Sequence, residues 1–187
     1  MSENRPQAYV LYESMFGNTE QIAMAVAEGL REAGYEVKTG DVAWAPIGDP
    51  LESDLLVVGA PTHAFSLSRP ATRRSAVDQG APHVRQGVGL REWLSRLRTE
   101  PGTRLPAVAV FDTRVPKAQR LPGATRAAVR LARRDGFSVV ADPETFFVAD
   151  SPGPLVEGEQ ARARAWGRTL ATTALPAPHG TDHRAAS

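Results

Sequence analysis

The sequence predicts an α/β domain built on a parallel sheet, and three observations carry that expectation. Short apolar segments alternate with segments of helical periodicity five times along the 187 residues. Residues 55–58, Leu-Leu-Val-Val, form an unbroken apolar run, the pattern of a strand covered on both faces. Irregular loops follow the first, third and fourth strands at residues 14–19, 60–65 and 112–115. Right-handed crossovers bring such loops to one edge of a sheet, where ligands bind in open α/β folds.

Taken in order, residues 8–12 are the first strand. A helix over residues 20–33 follows, because Ile22, Val26, Leu30 and Ala33 share one face and Gly34 supplies a C-cap. Residues 35–42 alternate as a second strand, and Pro46, Gly48 and Pro50 mark a loop. The third strand is residues 54–59. Residues 66–89 read as one long irregular segment, broken by Pro70, Gly80, Pro82, Gly87 and Gly89, and segments of that length carry function or motion. Leu90, Trp93, Leu94 and Leu97 define the next helical face. Residues 105–111 are the fourth strand. Pro122 fits a first helical position and Gly136 the C-cap of the helix between them. Residues 137–141 are expected as the fifth strand, with pairing resumed at residues 146–148 after Pro143. The last helix spans residues 158–174, with Ala163, Trp166 and Leu170 inward. One domain is therefore expected over residues 1–174. Residues 175–187 are polar and aperiodic, and are expected to be disordered.

Composition narrows the function classes. The net charge of +1 gives no argument for nucleic acid, and no nucleic-acid partner is expected. The absence of cysteine removes disulfides, thiolate catalysis and cysteine-ligated metals. His179 and His183 have i, i+4 spacing but sit in the aperiodic tail, so no metal site is expected. Residues 1–7 lack the apolar core of a signal peptide, and no stretch reaches the roughly 18 apolar residues of a membrane span. A cytoplasmic protein is the expectation.

The chemistry lies in residues 10–19, Val-Leu-Tyr-Glu-Ser-Met-Phe-Gly-Asn-Thr. A buried strand breaks into a polar loop that opens a helix. Loop amides, hydroxyls and the positive end of the helix dipole suit an anion, most simply a phosphate. The glycine spacing fits neither a nucleotide-triphosphate loop nor a dinucleotide fingerprint. An ordinary strand-to-helix turn capped by Asn18 or Thr19 would have the same residue types.

Residues 12–20, Tyr-Glu-Ser-Met-Phe-Gly-Asn-Thr-Glu, resemble the phosphate loop of the flavodoxin-like family. The resemblance implies a three-layer sandwich around a five-stranded parallel sheet of order 2-1-3-4-5, and flavin mononucleotide (FMN) as cofactor. It places the hydroxyls of Ser14 and Thr19 on phosphate oxygens, with Met15, Phe16, Gly17 and Asn18 giving mainly backbone amides. Phe16 stands where the family commonly has a hydroxyl. Pro61, Thr62, His63, Ala64 and Phe65 match the loop that approaches the flavin N5 edge. Asp112, Thr113 and Arg114 match the loop that holds the pyrimidine edge. For Arg114 a solvated surface position is the expectation, with charge stabilisation near the flavin N1 as the other reading.

No catalytic residue is implied, because the flavin supplies the chemistry. The resemblance implies electron transfer to a redox partner protein. Two alternatives stay open: an FMN-dependent reductase of quinone-type molecules using NAD(P)H, and a flavin-free interaction module. One feature departs from the family. Arg69, Arg73, Arg74, Arg85, Arg114, Lys117, Arg120, Arg126, Arg130, Arg133 and Arg134 face only Asp78, Asp112 and Asp135 in the same segments. A basic rim of this kind fits an acidic partner or a small, flat anionic substrate.

Overall fold

The computed structural model describes residues 5–46, 48–63, 65–82, 84, 88–97, 104–118 and 121–174. The expectations placed on Ala64, Arg85, Arg120 and residues 175–187 lie outside them. Five parallel strands form one sheet: β1 (Gln7–Tyr12), β2 (Glu36–Asp41), β3 (Leu55–Pro61), β4 (Ala107–Arg114) and β5 (Glu144–Phe147), in the order β2-β1-β3-β4-β5. The expected order is thus the observed one. Register runs unbroken through the centre, with Val10 beside Val57 and Val57 beside Ala109.

Helices cover both faces. On one lie α1 (Asn18–Glu32) and α6 (Glu159–Ala174), and their shared core includes Val10, Ile22, Val26, Val57, Phe111, Phe146 and Leu170. On the other lie α4 (Leu90–Arg96) and α5 (Ala124–Arg134), over Leu11, Val58, Val110, Trp93, Leu94 and Ala128. Two shorter helices, α2 (Gly48–Glu52) and α3 (Pro70–Asp78), sit in the connections flanking β3. The helices α1 and α6 cross at backbone distance. A Cβ at Gly29 would overlap the Arg164 carbonyl oxygen, and one at Gly167 would overlap that of Val26. Arg164 and Arg168 both reach Glu32 across the same crossing.

Several boundaries differ from the sequence expectation. The fifth strand is residues 144–147, whereas the expected segment 137–141 makes a single bridge, Val139 to Val108. The cause is burial: Phe146 is fully enclosed, edge-on to Phe111 and Trp166, and draws residues 144–147 into the sheet. Residues 66–89 are not wholly irregular, because α3 begins at Pro70. Pro122 precedes the helix it was expected to start, and Gly123 is the N-cap of α5. Asp112, Thr113 and Arg114 are the last residues of β4 and not a loop.

Candidate functional site

The order β2-β1-β3 reverses between β1 and β3, so a crevice opens beyond their carboxyl ends. The cleft there holds about 240 Å³ and is lined by residues from every one of the three expected segments. Met15, Phe16, Asn18 and Thr19 come from the first, Pro61, Thr62, His63 and Phe65 from the second, and Thr113 and Arg114 from the third. Val115, Val148 and Ser151 complete the wall.

The first loop presents unengaged amides at the start of a helix. Gly17 adopts φ 87°, the left-handed conformation that turns the chain into α1 without a Cβ penalty. Ser14 Oγ accepts the amides of Gly17 (3.1 Å) and Glu20 (3.3 Å), which fixes the loop and leaves the Ser14 O–H as a donor. Among the described residues, the amides of Met15, Phe16, Asn18 and Thr19 donate to no protein acceptor. They stand at the positive end of a 15-residue helix. Thr19 and Thr113 hydroxyls are 2.8 Å apart and link the first loop to β4. Asn18 Nδ2 donates to the Pro152 carbonyl at 3.1 Å, which ties the loop to the segment after β5.

The second loop is a tight turn. The amide of His63 donates to the Ser66 carbonyl and the Ser66 amide to the His63 carbonyl, at 2.9 and 3.0 Å. Inside that turn Phe65 is held at φ 62°, a conformation costly for a large side chain, and its ring is 53% exposed at the cleft. Burial pushes the His63 imidazolium pKa below its ordinary value, which favours the neutral ring at neutral pH.

The third segment departs from expectation. Arg114 is not a solvated surface charge. Its Nε and Nη2 grip Asp112 at 3.2 and 2.6 Å, and Nη1 donates to the Leu121 carbonyl at 3.1 Å. Arg114 still lines the cleft. Asp112 does not: it is fully buried and accepts further bonds from Thr62 Oγ1 (2.7 Å) and Thr145 Oγ1 (2.8 Å). The Thr62 oxygen in turn accepts the Ala124 amide that opens α5. This knot ties two cleft-lining residues, Thr62 and Arg114, to β4, β5 and the start of α5. Two residues on alternate positions of a strand face the same side, so Asp112 and Arg114 could have been read as a pair had β4 been extended to residue 114.

A second buried knot lies behind the first loop. Glu13 accepts from Ser68 Oγ (2.5 Å) and from the Leu90 amide (2.8 Å), and Arg73 reaches Ser68 Oγ (2.8 Å) and Glu92 (3.1 Å). Arg73 is therefore a buried anchor of α3 and not part of a basic rim. Burial raises the Glu13 carboxyl pKa against these stabilising contacts. Val148 and Ser151 line the cleft from the segment after β5, a segment the sequence reading treats as resumed pairing at 146–148 and connection to the last helix rather than as part of the site. Among the described residues, no group of three or more His, Asp or Glu is placed to hold a metal, and no helix is long and apolar enough to cross a membrane.

The sheet order, the strand-to-helix loop and the cleft define a doubly wound α/β protein with a crevice at its switch point. The family model named flavodoxin matches residues 10–72. The fold is flavodoxin-like through α6, and the flavodoxin sequence signature covers about a third of the chain. An uncharacterized protein of Methanocaldococcus jannaschii is 33% identical over 66 residues, which cover 33% of this chain and 17% of that protein. Oxidised flavodoxin 1 from Bacillus cereus superposes with a TM-score of 0.63 at 15% identity, over 91% of this chain and 99% of that one. Rubredoxin oxygen:oxidoreductase from Desulfovibrio gigas superposes at 0.58 and 17% identity, over 92% of this chain and 37% of the larger one.

Proposed function

We propose that the chain binds FMN noncovalently in this cleft and serves as an electron carrier. The observation that carries the reading is the junction of two unlike surfaces. Four unengaged loop amides at a helix N-terminus suit a phosphate dianion, and they open directly into a mostly apolar cleft that suits a flat ring. The residues fit the group: Met15, Phe16, Asn18 and Thr19 amides with the Ser14 hydroxyl would hold the phosphate, and Phe65 and Pro61 would flank the ring. When bound, the flavin supplies reversible electron acceptance, and the protein supplies position and electrostatics. His63, kept neutral by burial, adds no charge at the cleft, while Arg114 brings its positive charge already balanced by Asp112.

Purified protein should be yellow, release FMN on denaturation, and quench the fluorescence of added FMN with one-to-one stoichiometry. Colourless protein that leaves FMN fluorescence unchanged refutes the reading and favours a flavin-free interaction module.

A reductase of flat substrates is the second reading. One observation favours it: among the described residues no tyrosine or tryptophan lines the cleft, and Val115 stands on the wall after β4. The ring would be left open on that side. Steady-state turnover of a quinone with NAD(P)H, by holoprotein alone, selects this reading over the carrier.

A further inference from the structure

The two helical layers carry their charge in opposite ways. On the α1/α6 layer the α6 arginines pair with acids: Arg164 with Glu28 and Glu32, Arg168 with Glu32, and Arg162 with Glu144 and Glu159, while Arg31 of α1 donates to the Val37 carbonyl. On the α4/α5 layer, Arg96, Arg126, Arg130 and Arg133 are exposed, and among the described residues none makes an ion pair or a side-chain hydrogen bond. Arg134 pairs with its neighbour Asp135. Residues 126, 130 and 133 fall at i, i+4 and i+7, which places them in one stripe along α5. The chain carries a net charge of only +1, so this positive face is a local segregation and not a reflection of overall composition.

The stripe is joined to the cleft. The residue before α5 that anchors it, Leu121, gives its carbonyl to Arg114, and the Ala124 amide donates to Thr62. At 1.5 Å per residue, Arg126 lies about 3 Å along the axis from that anchored end, and Arg133 about 14 Å. The whole stripe therefore fits within the footprint of a standard interface centred near the cleft, about 800 Å² per partner. Leu121 is 45% exposed and Phe65 53%, so apolar contacts stand beside the charges. An apolar centre with a charged rim is the anatomy of a specific encounter surface.

We infer that the outer face of α5, with Arg96 and the cleft mouth, is the docking surface for an acidic redox partner protein. The inference rests on the carrier reading for its purpose, but its charge argument stands on the chain alone. Unpaired surface arginines of one sign steer an oppositely charged protein and set its orientation, with the electron-exchanging cleft beneath the edge of contact. A nucleic acid would also be drawn to arginines, but the coupling of the stripe to the cleft through Leu121 and Ala124 favours a partner that must sit over the cleft.

The test uses two forms of one acceptor: native cytochrome c, which is basic, and the same protein with its lysines succinylated, which is acidic. Dithionite-reduced holoprotein is mixed with each in a stopped-flow instrument, and one electron passes to each haem Fe3+, giving Fe2+. At low ionic strength the acidic form should be reduced faster, and its rate should fall as salt is raised, while the basic form should show no such fall. Charge reversal in R126E/R130E/R133E should lower the acidic-form rate about tenfold at low salt and flatten its salt dependence. FMN affinity, measured by fluorescence quenching, should be unchanged, because none of the three lines the cleft. Equal rates for the two forms, a faster basic form, or an unaffected variant overturns the inference. So does an arginine-dependent shift of labelled duplex DNA with no rate difference between the cytochromes. If the chain binds no FMN, the carrier reading fails separately; the docking claim is then read from the salt-sensitive binding of succinylated cytochrome c to the chain and its loss in the triple variant.

Discussion

Replacing Asp112 by alanine removes the common acceptor of the knot beneath the cleft. The carboxylate is fully buried and accepts from Arg114 Nε and Nη2, Thr62 Oγ1 and Thr145 Oγ1. Its loss leaves the Arg114 guanidinium, 7% exposed, without its counter-charge. Breaking a buried pair from one side costs about 3–5 kcal/mol, because the remaining charge must be held away from water. With a urea m-value of about 2 kcal/mol/M, the unfolding midpoint should fall by about 1.5–2.5 M. Asp112→Asn is a sharper version. Its amide would present N–H groups where Arg114 Nη2 and Thr62 Oγ1 both donate, so an isosteric change should cost nearly as much. Asp112→Ala combined with Arg114→Met removes both charges, and should recover more than half of the loss, since neutral apolar pairs replace buried ion pairs at little penalty. Urea unfolding followed by circular dichroism measures all three. A midpoint change under 0.5 M for Asp112→Ala, or a double variant no better than the single one, refutes the claim that the pair is buried and mutually compensating.

Other outcomes follow from the same geometry. Gly167→Ala should destabilise by about 1–3 kcal/mol in urea unfolding, because a methyl group meets the Val26 carbonyl oxygen and must force α1 and α6 apart. Phe65→Asn should stabilise the fold by about 0.5–1 kcal/mol, since asparagine tolerates φ 62° and the lost ring is half-exposed, while weakening FMN binding about 2–10-fold in a quenching titration. His63 has its pKa lowered from 6.5 by burial, so the unfolded chain takes up a proton first. Its contribution to stability is present above pH 6.5 and is lost as pH falls through the lower, folded value. His63→Gln should flatten that part of the stability–pH profile in urea midpoints measured from pH 7.5 to 5.

The strand order and the three-part cleft were legible because apolar runs, helical periodicity and strand-end loops all pointed one way. The failures have local causes. Residues 137–141, Phe-Ser-Val-Val-Ala, look more like a strand than Glu-Thr-Phe-Phe, yet the second forms the ladder, because Phe146 packs against Phe111 and Trp166 while the Arg162 guanidinium lies 4.4 Å from the Phe146 ring centre. Tertiary burial there outweighs strand propensity. Arg73 and Arg114 looked like surface charges because arginine is mostly exposed, and their partners, Glu92 and Asp112, become visible only once the helix and strand that carry them are in place. Helix α3 was hidden because it runs only nine residues and its buried positions are Arg73 and Ala76, which leaves no apolar stripe to read.

The crossing of α1 and α6 through Gly29 and Gly167 has a consequence for how the chain is made. The helix that follows the first loop is second in the order of elements, and the helix it leans on is last. During synthesis at about 5–20 residues per second, the interval between completing Glu32 and reaching Glu159 is on the order of 6–25 s. For that interval α1 can settle on β1 and β3 but has nothing behind it. Its final position is set by the last part of the fold to arrive, so a ribosome-bound chain stalled before α6 should bind the phosphate end of a ligand poorly although every residue of the first loop has already emerged.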